Sequence, residues 1–216
     1  MCRSRQTLEL TATSLPPFKT TAKNAMRRVA IYSTLLLVLG ATGLVMSFPE
    51  HAREYRLYLT ENRPALVLSY GEISQEWTES QIKERFSYLT LRCYDNRPGE
   101  YLDERSCFAD IDSHNGTPAM NVAFYLAAGK LNHVGIQVPW WAHGKQWSKL
   151  QSAYGRPLAA QQQPIQGVRL SGWQLSGGSV FFNRDRPLNP LMWSMVLWSS
   201  ERACGPRTCF TAASEL

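Results

Sequence analysis

Charge is scarce in this chain: only 19% of its 216 residues are Asp, Glu, Lys or Arg, against 44% hydrophobic. That balance excludes a disordered polyelectrolyte and fits one globular domain with an additional segment. The short motifs of common enzyme classes are missing as well. There is no His-Glu-x-x-His, no Ser nucleophile elbow, no Walker A loop and no dinucleotide glycine pattern. Zinc spacing is absent too, because Cys204 and Cys209 have four residues between them and no paired histidine. The expectation is a chain without a cofactor that is not an enzyme.

The most complete gap in the charge is local. Val29 to Phe48 reads VAIYSTLLLVLGATGLVMSF, twenty residues with no charge at all. A helix of that length, at about 1.5 Å per residue, covers a hydrocarbon core of roughly 30 Å. Arg27 and Arg28 precede it, and Pro49, Glu50 and His51 follow. The basic flank predicts a cytoplasmic N-terminus and an exported C-terminal part. A cleaved signal peptide competes with an uncleaved signal-anchor: Val45-Met46-Ser47 is a passable cleavage site, but the leader before the apolar run is long. No lipid-attachment cysteine lies near the end of the run. Gly43 and Ser47 offer one small-xxx-small spacing for another membrane helix.

What charge there is points the same way. The chain carries a net +6. Residues 1–28 hold six basic residues and Glu9 alone, a net +5, which leaves 17 basic and 16 acidic residues, a net +1, for the rest. The basic excess is therefore a topology signal in a short tail. A near-neutral exported domain disfavours nucleic acid as a partner. The expected organisation is a cytoplasmic tail over 1–28, a transmembrane helix over 29–48, a membrane-proximal helix or stalk over 49–73, and a periplasmic domain over 74–216. The expected location is a bacterial inner membrane, crossed once.

Four of the five cysteines lie in the exported part, an even number that suits disulfides in an oxidising space. Of the three possible connectivities, proximity favours Cys93 with Cys107 and Cys204 with Cys209, each pair enclosing turn residues.

Along that part, 49–62 reads as an amphipathic helix with Tyr55, Tyr58 and Leu59 on one face. Ala65–Ser69 reads as a short strand. Thr78-Glu-Ser-Gln81 has the capping-box pattern of a helix that carries Ile82, Phe86 and Leu89 on one side. Period-two strands are expected at 89–94, 107–111, 119–127 and 131–138, with turns at Asn115-Gly116 and Ala128-Gly129-Lys130. In the third, Met120, Val122, Phe124 and Leu126 form the buried set, with Ala119, Asn121, Ala123 and Tyr125 opposite. A helix over 140–154, stopped by Gly155 and Pro157, separates these from strands at 168–175, 179–183 and 191–198. Few helices beside meandering strands predict an α+β fold, an antiparallel sheet with helices packed on one face, in which a helix followed by strands occurs twice.

The stretch Phe124-Tyr-Leu-Ala-Ala-Gly-Lys-Leu131, with the helix stop Tyr154-Gly155-Arg-Pro157, resembles small envelope α+β modules of the BamE-like and beta-lactamase-inhibitor-like kind. The resemblance covers at most 74–200. It implies action by binding other proteins, either as an assembly factor or as an inhibitor or immunity-like module, and it assigns no functional residue.

Three residue groups are candidates for chemistry or recognition. Asp110, Asp112 and His114 alternate, so a continuing strand would set all three on one face toward a metal, as in a metal-assisted hydrolase. A solvated strand end leading into the turn explains them more simply. His143 falls on the stripe Trp140, His143, Trp147, Leu150 and Tyr154, where a packed, hydrogen-bonded histidine is expected, while His133 is expected on the solvated sheet face. Trp140, Trp147, Trp193 and Trp198 sit in apolar contexts and read as core. Trp141 falls on the other side of its helix, near Lys145 and Lys149, an aromatic with basic neighbours that suits a protein hot spot, a glycan or the membrane interface.

Overall fold

In the computed structural model, described for residues 19–97, 102–159 and 169–204, the chain divides into a unit over Met1–Pro49 and another over Glu50–Leu216. The first contains helix α1, Lys19–Ser47. Within it Ala25–Ser47 is long and apolar enough to cross a membrane, and its described side chains are exposed.

The second unit begins in α2, Pro49–Thr60, followed by β1, Ala65–Leu66, and α3, Glu79–Arg85. A first run of strands comprises β2 (Arg92–Asp95), β3 (Arg105–Asp110), β4 (Ser113–His114), β5 (Thr117–Pro118), β6 (Asn121–Ala127) and β7 (Lys130–Val138). After α4, His143–Tyr154, come β8 (Leu158–Ala159), β9 (Leu170–Leu175), β10 (Gly178–Asn183), β11 (Ser194–Ser200) and the short α5 (Glu201–Cys204). Eight strands form one sheet in the order β2-β3-β6-β7-β11-β10-β9-β8, with every pairing antiparallel. β1, β4 and β5 form a small separate sheet in which β1 runs parallel to β4.

The sheet order exposes an internal arrangement. Each of α3 and α4 is followed by a four-stranded meander, and the last strands of the two meanders, β7 and β11, meet at the centre. Of the strand expected over 191–198, only the part from Ser194 is strand: β11 begins there and lies between β7 and β10.

Register explains how the helices are held. Cys93, Cys107, Phe124, Val134, Trp198, Val180 and Trp173 are mutual partners across seven strands and so point to one face. Thr78 caps α3 with the reciprocal capping box, its hydroxyl accepting from the Gln81 N–H while the Gln81 side chain accepts from the Thr78 N–H. That start angle seats Ile82, Phe86 and Leu89 in the core, with Phe86 stacked on Phe124 at 5.2 Å. α4 meets the other half of the same face: the His143 ring lies 4.8 Å from Phe182, and Trp147 packs edge-on against Trp173 at 5.9 Å. The 140–154 helix opens with a 3-10 turn at Trp140–Ala142 and stops at Gly155, whose φ of 78° is open to glycine without strain.

Several expectations are corrected by packing. The opposite sheet face is not a simple solvated one, because Ala123, Tyr125, Phe181 and Leu197 are buried there. Gly135 lies in the same row, where a Cβ would be in contact with the Tyr125 ring and the Met195 sulfur, each at 3.4 Å. In α2 the inward face is His51, Tyr55 and Tyr58, at helical spacing, whereas Leu59 is exposed. Residues 49–73, read as a stalk, supply Tyr55, Leu66, Leu68, Tyr70 and Ile73 to the interior of the second unit. Of the tryptophans read as core, Trp198 is fully buried, while Trp140, Trp147 and Trp193 are half-buried.

Candidate functional site

α4 and the β4–β5 turn together build the most distinctive surface. Asn115 (φ 49°) and Gly116 (φ 74°) both adopt left-handed backbone, which closes the two-residue turn and directs its carbonyls outward. Lys145, in the first turn of α4, donates its Nζ to the Gly116 carbonyl at 2.8 Å, and Lys149, one turn further, donates to the Asn115 carbonyl. The two lysines thus latch the helix to the turn while Ser148 and Ser152 beside them stay exposed. Trp141 stands at the start of this helix, 48% exposed. Its ring rests on Tyr55, 5.2 Å away, and on Tyr58, 6.2 Å away, both from α2. Tyr55 is itself held by the Trp140 N–H, which donates to its hydroxyl at 3.1 Å. The aromatic is therefore presented on a fixed base.

Beneath the turn lies His114, which is 3% exposed and not part of a solvated strand end. Its Nε2 sits 2.9 Å from the Leu68 carbonyl and its Nδ1 3.5 Å from the Tyr70 hydroxyl. The carbonyl accepts from Nε2–H, which leaves Nδ1 to accept from the tyrosine. Burial, with a further contribution from the nearby Lys149 charge, pushes its pKa down to about 4, so the ring is neutral at ordinary pH. The Asn115 side chain completes the junction, donating to the Leu68 carbonyl at 2.8 Å and accepting from the Leu68 N–H at 3.1 Å.

The structure does not gather Asp110, Asp112 and His114. Asp110 is engaged by Arg92 at 2.6 Å and lies 3.9 Å from Arg63. Asp112 is exposed, with its carbonyl accepting from the Tyr58 hydroxyl at 2.8 Å, and His114 points inward. Strand alternation placed them on one face in the sequence reading, but the chain leaves β3 at Asp110 and enters a different sheet at Ser113. Among the described residues, the one His/Cys/Asp/Glu group close enough to share an ion is Glu79 with Cys93 and Cys107, and both sulfurs there are in a disulfide. Glu79 is held down to about 2 by hydrogen bonds from Arg105 and Lys83.

Cys93 and Cys107 face each other as direct partners across β2 and β3 and are bonded. Cys209, and the side chain of Cys204, lie outside the described residues, so the second expected bridge does too.

A polar row on the second sheet face had no clear sequence signal. His133 is 8% exposed, not solvated, and its Nδ1 lies 2.8 Å from the Ser199 hydroxyl, its cross-strand partner. Its Nε2 is 3.9 Å from Asp103, whose other oxygen accepts from Asn132 at 2.9 Å. Burial lowers the pKa of His133, and the Asp103 charge opposes that shift. Ser199 is only 2% exposed, so the row is an internal polar network among strands. His143 matches its expected packed role: its Nε2 meets the Asn183 carbonyl at 3.1 Å, and burial lowers its pKa.

No protein-family model, curated protein or solved structure matches the chain.

Proposed function

We propose that this chain is a single-pass protein of a bacterial inner membrane that presents its α+β domain to the periplasm and there binds another envelope protein, as an accessory or assembly factor of an envelope complex. α1 is the anchor. The basic residues before it hold the N-terminus in the cytoplasm, and the Cys93–Cys107 disulfide suits the oxidising side of the membrane. The observation that carries the binding role is Trp141: a half-exposed tryptophan seated on two tyrosines, next to a helix face that bears Lys145 and Lys149. A rigid aromatic loses little conformational freedom on docking and buries a large apolar area, which is how binding hot spots are built. The lysines keep spare donors after each gives one hydrogen bond to the turn, and these select an acidic rim on the partner.

The test is site-specific photocrosslinking in intact membranes. A photoreactive residue in place of Trp141 yields a discrete adduct with one other protein, and K145E with K149E removes it. The same probe at Ser176, in the exposed β9–β10 turn, gives none. No adduct from position 141, or the same adducts from both positions, refutes the reading.

A further inference from the structure

We infer that the loop between β10 and β11, residues 184–193, is a second membrane contact, with Leu188 entering the lipid headgroup and upper acyl region. The inference rests on the proposed reading of α1 as a spanning helix. The first support is chain length. Ser47 ends α1 and His51 lies four residues later, so whatever surrounds His51 is tethered within about 14 Å of chain from the end of the span. The His51 ring stacks on Trp193 at 4.6 Å and 23°, which brings the end of the 184–193 loop to that position.

The second support is how the loop is built. It begins after Asn183 in β10 and returns at Ser194 in β11, both at the end of the sheet where β7 terminates in Val138. The indole N–H of Trp140 donates to the Pro187 carbonyl at 2.6 Å, and the Arg186 guanidinium lies 4.1 Å over the same indole. The Tyr55 hydroxyl lies 3.4 Å from the Met192 carbonyl. These contacts fix the two limbs and leave the tip outside. Leu188, between Pro187 and Pro190, is fully exposed, and Met192 is 38% exposed. An isolated leucine on a surface is unremarkable. A leucine held at the tip of a doubly proline-braced loop, beside tryptophans and within a few residues of a bilayer, has a ready place for its side chain. Tryptophan and arginine at its base suit the polar interface.

The experiment uses the full chain in nanodiscs of phosphatidylethanolamine and phosphatidylglycerol, doped with a phospholipid whose acyl chain carries a diazirine near its carbonyl end. Irradiation, digestion and mass spectrometry then map the adducts. The inference expects adducts on the α1 peptide and on 184–193, and none on the turns at 128–129 and 176–177, which lie at the other end of the strands. L188E abolishes the loop adducts and leaves those on α1. Labelling of α1 without the loop overturns this inference alone, as does equal labelling of the loop and the 176–177 turn. An unlabelled α1 overturns the anchoring on which it rests.

Discussion

His114 is buried beneath the β4–β5 turn with its pKa pushed down, and acid should reveal it. In the unfolded chain its pKa returns to the ordinary 6.5, while in the folded protein it is about 4, because the ring is buried against Leu68 and Tyr70 with Lys149 nearby. The unfolded state therefore binds more protons than the native state between those two values. The stability this histidine contributes is fully present above pH 6.5, declines as pH falls through the window, and is gone below about 4. At about 1.4 kcal/mol per tenfold change, taking the protein from about pH 7.5 to about pH 5 removes roughly 2 kcal/mol through this one group. The measurement is denaturant unfolding at both pH values for the wild type and for H114Q, with the disulfide intact. Glutamine cannot titrate, so the variant is less stable at neutral pH but its loss on acidification is smaller by that roughly 2 kcal/mol. The pKa values of His133 and His143 are also lowered by burial, so they act in the same direction; they are present in both proteins and cancel in the difference. Equal pH slopes in the two proteins, or a directly titrated His114 near 6.5, would refute the buried, neutral assignment.

Two further perturbations separate space from covalent constraint. A Cβ at Gly178 would lie 2.3 Å from the Ser199 carbonyl oxygen and 2.9 Å from the Trp198 ring, whereas one at Gly135 would meet only Met195 and Tyr125 at 3.4 Å. Thermal unfolding should show G178A destabilised by about 3 kcal/mol or more and G135A by less than about 1 kcal/mol, and similar losses for both would contradict the packing described. Replacing Cys93 and Cys107 by serine should cost about 3 kcal/mol, from a bridge that closes a 14-residue separation, and non-reducing peptide mapping of the wild type should recover that pair. A free thiol at either position would remove the argument for an oxidising compartment.

Much of the fold could be read in advance, and the readable parts share a physical basis. The α3 cap, the helix stop at Gly155, the hairpin turns and the β6 and β7 alternation are set by contacts within a few residues, so local sequence states them. Cys93 and Cys107 belong with them, because they sit on neighbouring strands joined by a single loop. The errors have the opposite character. His133 alternates correctly with Val134, but alternation assigns a face and not what that face meets. Only strand order brings Ser199, 66 residues away, against its ring. The Asp110, Asp112 and His114 alternation assumed one continuous strand, and the chain changes sheets between them. Of Tyr55, Tyr58 and Leu59, expected on one helical face, the two tyrosines turn inward, Tyr58 sending its hydroxyl to the Asp112 carbonyl, whereas Leu59 is exposed.

The candidate surface divides along the same line. Trp141, Lys145 and Lys149 stand out from spacing alone, since an aromatic and two cations at helical intervals share a side of any helix. That the lysines grip the Asn115-Gly116 turn, and that Tyr55 and Tyr58 form the seat of the tryptophan, depends on α2 and β4–β5 arriving from 25 to 90 residues away. Composition and order along the chain were enough to establish an apolar segment of membrane-spanning length, a basic tail before it and an α+β domain after it, because hydrophobicity, charge and hydrogen-bond periodicity are properties of consecutive residues. Which polar groups are buried, which aromatic is held outward and which loop tip stands free were decided by long-range packing, because desolvation and contact depend on neighbours that the sequence leaves far apart.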